Sequence, residues 1–210
     1  MDKKNVSYKL YVCTDSGLMT SATVEESVEA AVKGGATVIQ LREKNATSRE
    51  LYELAVRVRA VTAKYNVPLI IDDRVDIAIA ADADGVHLGQ SDLPCAAARK
   101  MLGEDKIIGV TAPTPELARA AKADGADYIG IGAMFATSTK TDTKPCTKEN
   151  LAAVRAVFDL PMVIIGGVKR SNVMQFAGMG IDGAAVISDI IADPDPEAAA
   201  REMRTILENF

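Results

Sequence analysis

Short apolar runs alternate with longer amphipathic segments along the whole chain. Several amphipathic segments begin near Thr, Ser or Asp and end near Gly, as helix caps do. They cover residues 23–35, 47–65, 115–125, 148–158 and 196–210. The apolar runs have the length and composition of β-strands, and they cover residues 8–14, 37–42, 67–72, 85–89, 106–110, 127–132, 161–166 and 183–188.

Nearly continuous apolar strands that alternate with helices are typical of a parallel sheet covered on its faces. Eight such strands predict an α/β fold, a single (β/α)8 TIM barrel, with a doubly wound open sheet as the alternative. The 210 residues are at the small end of the range for a barrel. No linker or shift in composition marks a second domain, so we expect residues 1–210 to form one catalytic domain.

Charge and composition exclude several classes of protein. A formal net charge of -5 and the lack of a basic stripe argue against a nucleic-acid binder. No run approaches the ~18 apolar residues of a membrane span, and the N-terminal apolar stretch is too short for a signal peptide. The widely spaced Cys13, Cys95 and Cys146 fit free thiols rather than a disulfide framework. We therefore expect a soluble cytoplasmic protein, and the sequence leaves room for a homo-oligomer.

In a barrel, the active site forms in the loops that follow the strands. Polar residues gather at these positions, although strands end in polar loops in any case. The candidates are Arg42 and Lys44 after the second strand, Asp72 and Asp73 after the third, Asp92 after the fourth, Thr111 after the fifth, Thr137, Ser138, Thr139 and Lys140 after the sixth, Gly167 after the seventh, and Ser188 after the eighth.

The motif QLREK places two cations and an amide on one face of a strand. Side chains alternate, so Gln40, Arg42 and Lys44 point the same way. If they point to the barrel mouth, they form a clamp for an anionic ligand, and Arg42 can bind two oxygens at once. The alternative is a charged edge that faces outward.

Two aspartates close neighbouring strands. Asp73 and Asp92 could share one ion, and Mg²⁺ suits carboxylates that act together with substrate phosphate oxygens. Periodicity alone does not choose between Asp72 and Asp73, because adjacent strand residues point to opposite faces. The only histidine, His87, lies inside a strand and is expected to have a structural, hydrogen-bonded role.

Two further motifs favour anion binding. The sequences IIGGV and VISDI follow the seventh and eighth strands, where barrels often hold phosphate with backbone amides. No P-loop or G-x-G-x-x-G is present, so the phosphate ligand need not be a nucleotide. The sequence ATSTK offers three hydroxyls and a lysine, and its alternative interpretation is a simple polar loop.

Nearly the whole chain resembles the thiamine phosphate synthase family. The motifs QLREK, DDRVDIAIAADADGVHLGQSD, ADYIGIGAMF followed by TSTK, IIGGV and AVISDI match in order. The resemblance implies a (β/α)8 barrel that uses Mg²⁺ to join a hydroxymethylpyrimidine diphosphate to a thiazole phosphate. The products would be thiamine phosphate and pyrophosphate, so the expected partners are small-molecule substrates.

The resemblance also assigns roles to individual residues. Asp73 and Asp92 would bind Mg²⁺, while Arg42, Lys44 and Lys140 would stabilise the departing charge. The pyrimidine diphosphate would contact Gln40, Arg42, Lys44, Asp72, Thr111 and Lys140, and the thiazole phosphate would contact Thr137, Ser138, Thr139, Gly167, Ile187 and Ser188. The implied mechanism is loss of pyrophosphate to give a stabilised cation, which the thiazole nitrogen captures without a general base.

Four residues depart from the family pattern. This chain has Asp72 where Asn is usual, Thr111 where Ser is usual, Pro113 where His or a similar polar residue is usual, and Ala136 where Pro is usual. Asp72 matters most, because it adds negative charge beside a diphosphate.

Two other functions are the alternatives to a synthase. They are a thiazole tautomerase of the same barrel family and a non-catalytic thiazole-phosphate or thiamine-phosphate binding protein. The QLREK clamp, the carboxylate pair and Lys140 argue against the tautomerase.

Overall fold

Eight parallel strands close into a barrel in the order of the chain. The computed structural model describes residues 3–136 and 146–210. Each strand pairs with the next along the chain, and β1 pairs with β8. The (β/α)8 prediction is confirmed, and the open sheet is excluded. The strands are β1 Leu10–Cys13, β2 Val38–Leu41, β3 Leu69–Asp72, β4 Gly85–Leu88, β5 Ile107–Thr111, β6 Tyr128–Ile131, β7 Met162–Ile164 and β8 Gly183–Val186.

Helices follow the strands and cover the outside of the barrel. Thr side chains cap four of them, and Thr47 with Glu50 forms a reciprocal capping box at the start of α2. Short 3-10 turns cover Lys3–Asn5 and Val173–Phe176. The α-helices are α1 Val24–Lys33, α2 Ser48–Lys64, α3 Val75–Ala80, α4 Cys95–Leu102, α5 Pro115–Ala123, α6 Lys148–Arg155, α7 Ser188–Ile191 and α8 Pro196–Glu208.

The strands are buried on both faces, so the core has two layers. Residues on the outer face of the strands, such as Ile39 and Leu69, pack against the helices. The inner face forms a separate cluster that fills the barrel, composed of Tyr8, Tyr11, Cys13, Val38, Ile70, Ile107, Tyr128, Val163 and Ala185. Burial on two faces explains why the strands read as continuous apolar runs.

Two tyrosines dominate the barrel interior. Tyr11 and Tyr128 are almost fully buried, and their hydroxyl oxygens lie 2.7 Å apart. Gly109 makes room for the ring of Tyr128, because a Cβ atom at position 109 would lie 2.0 Å from the Tyr128 Cζ atom. A glycine in β5 is therefore what allows a tyrosine in β6.

Two further predictions can be compared with the structure. Cys13 and Cys95 are buried, Cys146 is half-buried, and all three are free thiols, as predicted. Within residues 3–136 and 146–210, no helix is long and apolar enough to cross a membrane.

Candidate active site

A cavity opens where the carboxyl ends of the strands meet. Its volume is about 1210 Å³ with the solvent-filled mouth included. Residues in or directly after each of the eight strands line it, so the barrel brings together side chains that lie far apart in sequence. The lining includes Gln40, Arg42, Lys44, Asp72, Asp73, Thr111, Gly167, Ile187 and Ser188.

Arg42 and Lys44 reach the cavity as part of a network of opposite charges. Arg42 donates to Asp15 Oδ2 at 3.1 Å, and its Nε lies 3.8 Å from Asp72 Oδ2. Lys44 Nζ lies 2.7 Å from Asp72 Oδ2 and also bonds Asp73. Partial burial opposes the charge on Lys44, but the bonds to Asp72 and Asp73 outweigh it and raise the pKa of the amine. Lys44 is therefore charged, and carboxylates hold both cations at the cavity.

Asp72 and Asp73 both face the cavity, which strand alternation does not predict. Asp72 is the last residue of β3, and Asp73 adopts a left-handed backbone with φ of 61°. This conformation breaks the extended geometry, so both carboxylates contact Lys44. The backbone N–H of Asp73 donates to the His87 carbonyl at 2.8 Å, which secures the turn. Strand alternation therefore does not describe this pair, and both aspartates that the resemblance assigns to the site line the cavity.

Asp72 is the more buried carboxylate of the two. Burial raises its pKa and the neighbouring charge of Asp73 adds to the effect, while Lys44 and Arg42 act in the opposite direction. The residue that departs from the family pattern therefore lies in direct contact with the cations of the proposed clamp.

Asp73 and Asp92 form a hydrogen-bonded carboxylate pair. Burial raises the pKa of Asp92, and the bond to Asp73 raises it further. Burial also disfavours ionised Asp73, but the bonds from Lys44 and Asp92 outweigh this and lower its pKa. Asp92 Oδ2 accepts from the Gly89 N–H at 2.7 Å, which orients the carboxylate. The two carboxylates thus act on each other in a place where a cation would relieve their repulsion.

A chain of hydrogen bonds crosses the bottom of the cavity. Gln40 Nε2 donates to the Tyr11 hydroxyl at 2.9 Å, and Tyr11 bonds the Tyr128 hydroxyl at 2.7 Å. His87 bonds Tyr128 through Nδ1 and Thr111 through Nε2, both at 3.0 Å. His87 therefore has hydrogen-bonded partners on both ring nitrogens, as expected. The whole chain of bonds links two residues of the predicted site, Gln40 and Thr111.

The interpretation of the sequence missed Tyr11 and Tyr128 as cavity residues. Both line the cavity, yet both lie inside apolar strands that read as core. The available signal was chemical, because a buried tyrosine hydroxyl needs a hydrogen-bond partner. In this barrel, that requirement connects them to Gln40 and His87.

Glycine turns line the opposite side of the cavity. Gly166 and Gly167 have φ of 92° and 65°, and a Cβ atom at Gly167 would lie 2.9 Å from the Ala136 carbonyl oxygen. The close approach and the left-handed backbone both require glycine. Ser188 is the first residue of α7, directly after Ile187. Backbone groups from the β7 and β8 loops are thus exposed to the same space.

Part of the predicted site lies outside the described residues. Thr137, Ser138, Thr139 and Lys140 belong to this group, so their roles stay predictions. Among the residues that are described, no cluster of three or more His, Cys, Asp or Glu side chains could hold a metal ion.

Cations, carboxylates and glycine turns at the rim of an eight-stranded parallel barrel define a (β/α)8 protein with a cavity for anionic small molecules. A family model described as thiamine monophosphate synthase matches residues 10–190. The chain belongs to this family, which confirms the resemblance found in the sequence motifs.

Individual relatives agree with the family. The chain is 50% identical to a thiamine-phosphate synthase of Ruminiclostridium cellulolyticum over 207 residues, which cover 99% of each chain. It is 48% identical to a thiamine-phosphate synthase of Clostridium botulinum over 202 residues, 96% of this chain and 95% of the relative. A solved structure of thiamine phosphate pyrophosphorylase from Pyrococcus furiosus superposes with a TM-score of 0.88 at 40% identity, covering 99% of this chain and 96% of the other.

Proposed function

We propose that the protein is a thiamine phosphate synthase. It would join the methylene carbon of 4-amino-5-hydroxymethyl-2-methylpyrimidine diphosphate to the ring nitrogen of hydroxyethylthiazole phosphate. The C–O bond to the diphosphate breaks, the C–N bond forms, and pyrophosphate leaves with the electron pair. The names of the relatives support this activity for an enzyme of the transferase class.

The observation that carries the proposal is that one cavity is lined by two separate groups of residues that could each bind an anion. Arg42 and Lys44 follow the carboxyl end of β2, while Gly167 and Ser188 line the same cavity from the β7 and β8 loops. Two anionic substrates need two such sites. A tautomerase acts on one phosphorylated substrate and would not need both.

The residues of the clamp would act on the leaving group. Arg42 is half-buried, so its attraction for the departing pyrophosphate would be stronger than in water, and the more exposed Lys44 would add a second positive charge. Thr111 and Lys140 would contact the same substrate. The thiazole nitrogen carries no proton, so the reaction needs no general base, and a hydrogen-bonded His87 is compatible with this. Alignment of the two reactants would supply a further part of the rate enhancement.

Asp73 and Asp92 would hold Mg²⁺ between their carboxylates. Two carboxylates suit this ion, which commonly completes its coordination with water and phosphate oxygens. When bound, the metal would supply positive charge for the diphosphate. Asp72, where Asn is usual, would contact the pyrimidine diphosphate, and Thr137, Ser138 and Thr139 would join Gly167, Ile187 and Ser188 at the thiazole phosphate. We also propose that residues 1–210 act as one catalytic domain and that the protein works in the cytoplasm. That it forms a homo-oligomer stays a prediction.

Pyrophosphate release in the presence of both substrates and Mg²⁺ tests the proposal. We expect release only when both substrates are present, and we expect EDTA to abolish it. Neither a tautomerase nor a binding protein would release pyrophosphate, so no release with both substrates would contradict the proposal.

Variants of Asp73 test the metal assignment separately. Asp73→Ala should lose at least about a hundredfold in kcat/KM, as expected for loss of a metal ligand. Asp73→Asn is the sharper variant, because Asn tolerates the left-handed backbone at this position and changes only the charge. Asp76→Asn, at an exposed carboxylate that pairs with Arg74, is the matched control and should keep full activity. Full activity in Asp73→Ala would refute the metal assignment.

A further inference from the structure

Arg170 joins three carboxylates next to the glycine turn of the β7 loop. Its Nε lies 3.0 Å from Asp189 Oδ2, and its terminal nitrogens lie 2.8 Å from Asp193 Oδ2 and 2.8 Å from Glu202 Oε2. The backbone N–H of Arg170 also donates to Asp189 Oδ2 at 2.8 Å. Both the main chain and the side chain of this residue therefore bind the segment that begins at α7.

The partners of Arg170 come from α7, from the connection after it and from α8. Asp189 is in the first turn of α7, directly after Ser188, and its side chain is 15% exposed. Asp193 also accepts from the Asp195 N–H, which fixes the entry to α8. Partial burial opposes the charge on Arg170, but the bonds to Asp193 and Asp189 outweigh it and raise the pKa of the guanidinium. The ion cluster is thus a fixed connection between the β7 and β8 loops.

The β7 loop is held on its other side by Asn172. Asn172 Nδ2 donates to the Gly167 carbonyl at 3.0 Å, and its Oδ1 accepts from the Lys169 N–H at 2.8 Å. Gly167 is therefore connected through a short, hydrogen-bonded loop to Arg170, and through Arg170 to the residue that follows Ser188. The two backbone segments that would hold one phosphate group are fixed to each other.

The positive charge of Arg170 has a second effect, on the carboxylate of Asp189. Asp189 is favourable at the start of a helix, but an ionised carboxylate repels an anion bound beside it. Arg170 neutralises this carboxylate with two hydrogen bonds. Without the guanidinium, a phosphate monoester at Ser188 would meet a bare negative charge one residue away.

We propose that Arg170 is a positioning residue for the phosphate of the thiazole substrate: it fixes the β7 loop to α7 and cancels the charge of Asp189. This inference rests on the proposed function, because it concerns the site assigned there to the thiazole phosphate. It predicts a selective effect, since the pyrimidine diphosphate would bind on the other side of the cavity, at Arg42 and Lys44.

Steady-state kinetics of Arg170→Met tests the proposal. We expect the KM for thiazole phosphate to rise about tenfold, which corresponds to about 1.4 kcal/mol. The KM for pyrimidine diphosphate and the kcat with both substrates saturating should stay within about twofold of the wild type. Arg170→Lys keeps the charge but cannot reach three carboxylates at once, so an intermediate KM is expected.

A double variant separates charge from packing. If Asp189 repels the phosphate once Arg170 is gone, Arg170→Met combined with Asp189→Asn should recover most of the lost affinity for thiazole phosphate. Arg99→Met is the matched control, because Arg99 also joins several loops through its guanidinium but does so at the opposite end of the barrel. It should lower the melting temperature and leave both KM values unchanged.

A direct binding measurement tests the role of Arg170 without depending on turnover. Calorimetric titration with thiazole phosphate alone should show the same tenfold difference in Kd between wild type and Arg170→Met. If the wild type binds thiazole phosphate but releases no pyrophosphate, the proposed function fails while this inference can still be judged. Equal Kd values, or equal increases in both KM values, would overturn the positioning role.

Discussion

Asp72 is a carboxylate in contact with the two cations that are expected to bind a diphosphate. Lys44 lies 2.7 Å from Asp72 Oδ2, and Arg42 lies 3.8 Å from the same atom. Some of the positive charge of the clamp is therefore balanced within the protein. A ligand with several negative charges would compete with Asp72 for the same two cations.

Asp72→Asn is expected to preserve or raise activity. The amide keeps the size of the side chain and removes one negative charge, so Arg42 and Lys44 become more available to the substrate. The KM for pyrimidine diphosphate should be equal or lower and kcat equal or higher, measured by pyrophosphate release with thiazole phosphate saturating. Asp76→Asn, in the same segment but at an exposed carboxylate that pairs with Arg74, should change neither constant. A large loss of activity in Asp72→Asn would show that the carboxylate itself is needed.

For individual residues, the sequence could predict which side chains lie at the cavity. It could not predict the directions of the neighbouring side chains of Asp72 and Asp73. Positions after strand ends identified Arg42, Lys44, Asp73 and Thr111 without any coordinates, because parallel strands deliver their carboxyl ends to one rim. The left-handed backbone of Asp73 was not predictable from strand periodicity. That conformation depends on a tertiary hydrogen bond to β4, which a one-dimensional pattern does not contain.

At the scale of elements, α1 and α2 are joined by a small network around Glu29. Glu29 Oε1 accepts from Lys64 Nζ at 2.8 Å and from the Tyr65 hydroxyl at 2.6 Å. The bond from Lys64, followed by the bond from Tyr65, lowers the pKa of Glu29 to about 2. The charged form is therefore favoured in the folded protein.

This shift predicts a pH-dependent contribution to stability. A lowered carboxyl pKa stabilises the fold above the ordinary value of 4.5, and the contribution is lost as the pH falls toward about 2. Glu29→Gln should therefore lower the unfolding free energy at neutral pH, and the difference from wild type should shrink below about pH 4.5. Urea denaturation across this range would measure it. Glu53→Gln, at an exposed carboxylate 4.0 Å from Arg49, is the control and should have a smaller effect. A difference that grows with acidity would contradict the prediction.

Secondary structure was predictable where local chemistry is strong. The eight strands and the long helices followed from periodicity and from Thr caps such as Thr23 and Thr47. Three short helices, α3, α4 and α7, were not among the predicted segments. None of them has a side-chain cap bond at its start, so the local signal for a helix is weak.

For the whole molecule, the polar chain inside the barrel connects opposite sides of the cavity. It runs from Gln40 in β2 through Tyr11 and Tyr128 to His87 and Thr111. These residues come from five strands, so the geometry of the site depends on closure of the complete barrel. The order of the strands was predictable from the sequence. The hydrogen-bond partners of the tyrosine hydroxyls were not, because they depend on the register in which the strands pair.

Tyr128→Phe tests this dependence. The change removes the hydroxyl that bonds both Tyr11 and His87, and each unsatisfied buried partner costs about 1–3 kcal/mol. We expect a lower melting temperature and a KM for pyrimidine diphosphate that is several-fold higher, because Gln40 and Thr111 lose their common support. Tyr8→Phe removes a hydroxyl from the same aromatic cluster and leaves the chain of bonds intact. Equal effects of the two variants would exclude a specific role for the Tyr128 hydroxyl.

The close packing of Gly109 against Tyr128 also limits which residues can replace either one. A methyl group at position 109 would overlap the ring at position 128, whereas a smaller residue at 128 would leave Gly109 facing an empty space. Neither change is tolerated well without the other. A substitution at either position is therefore constrained by the residue that the neighbouring strand already carries.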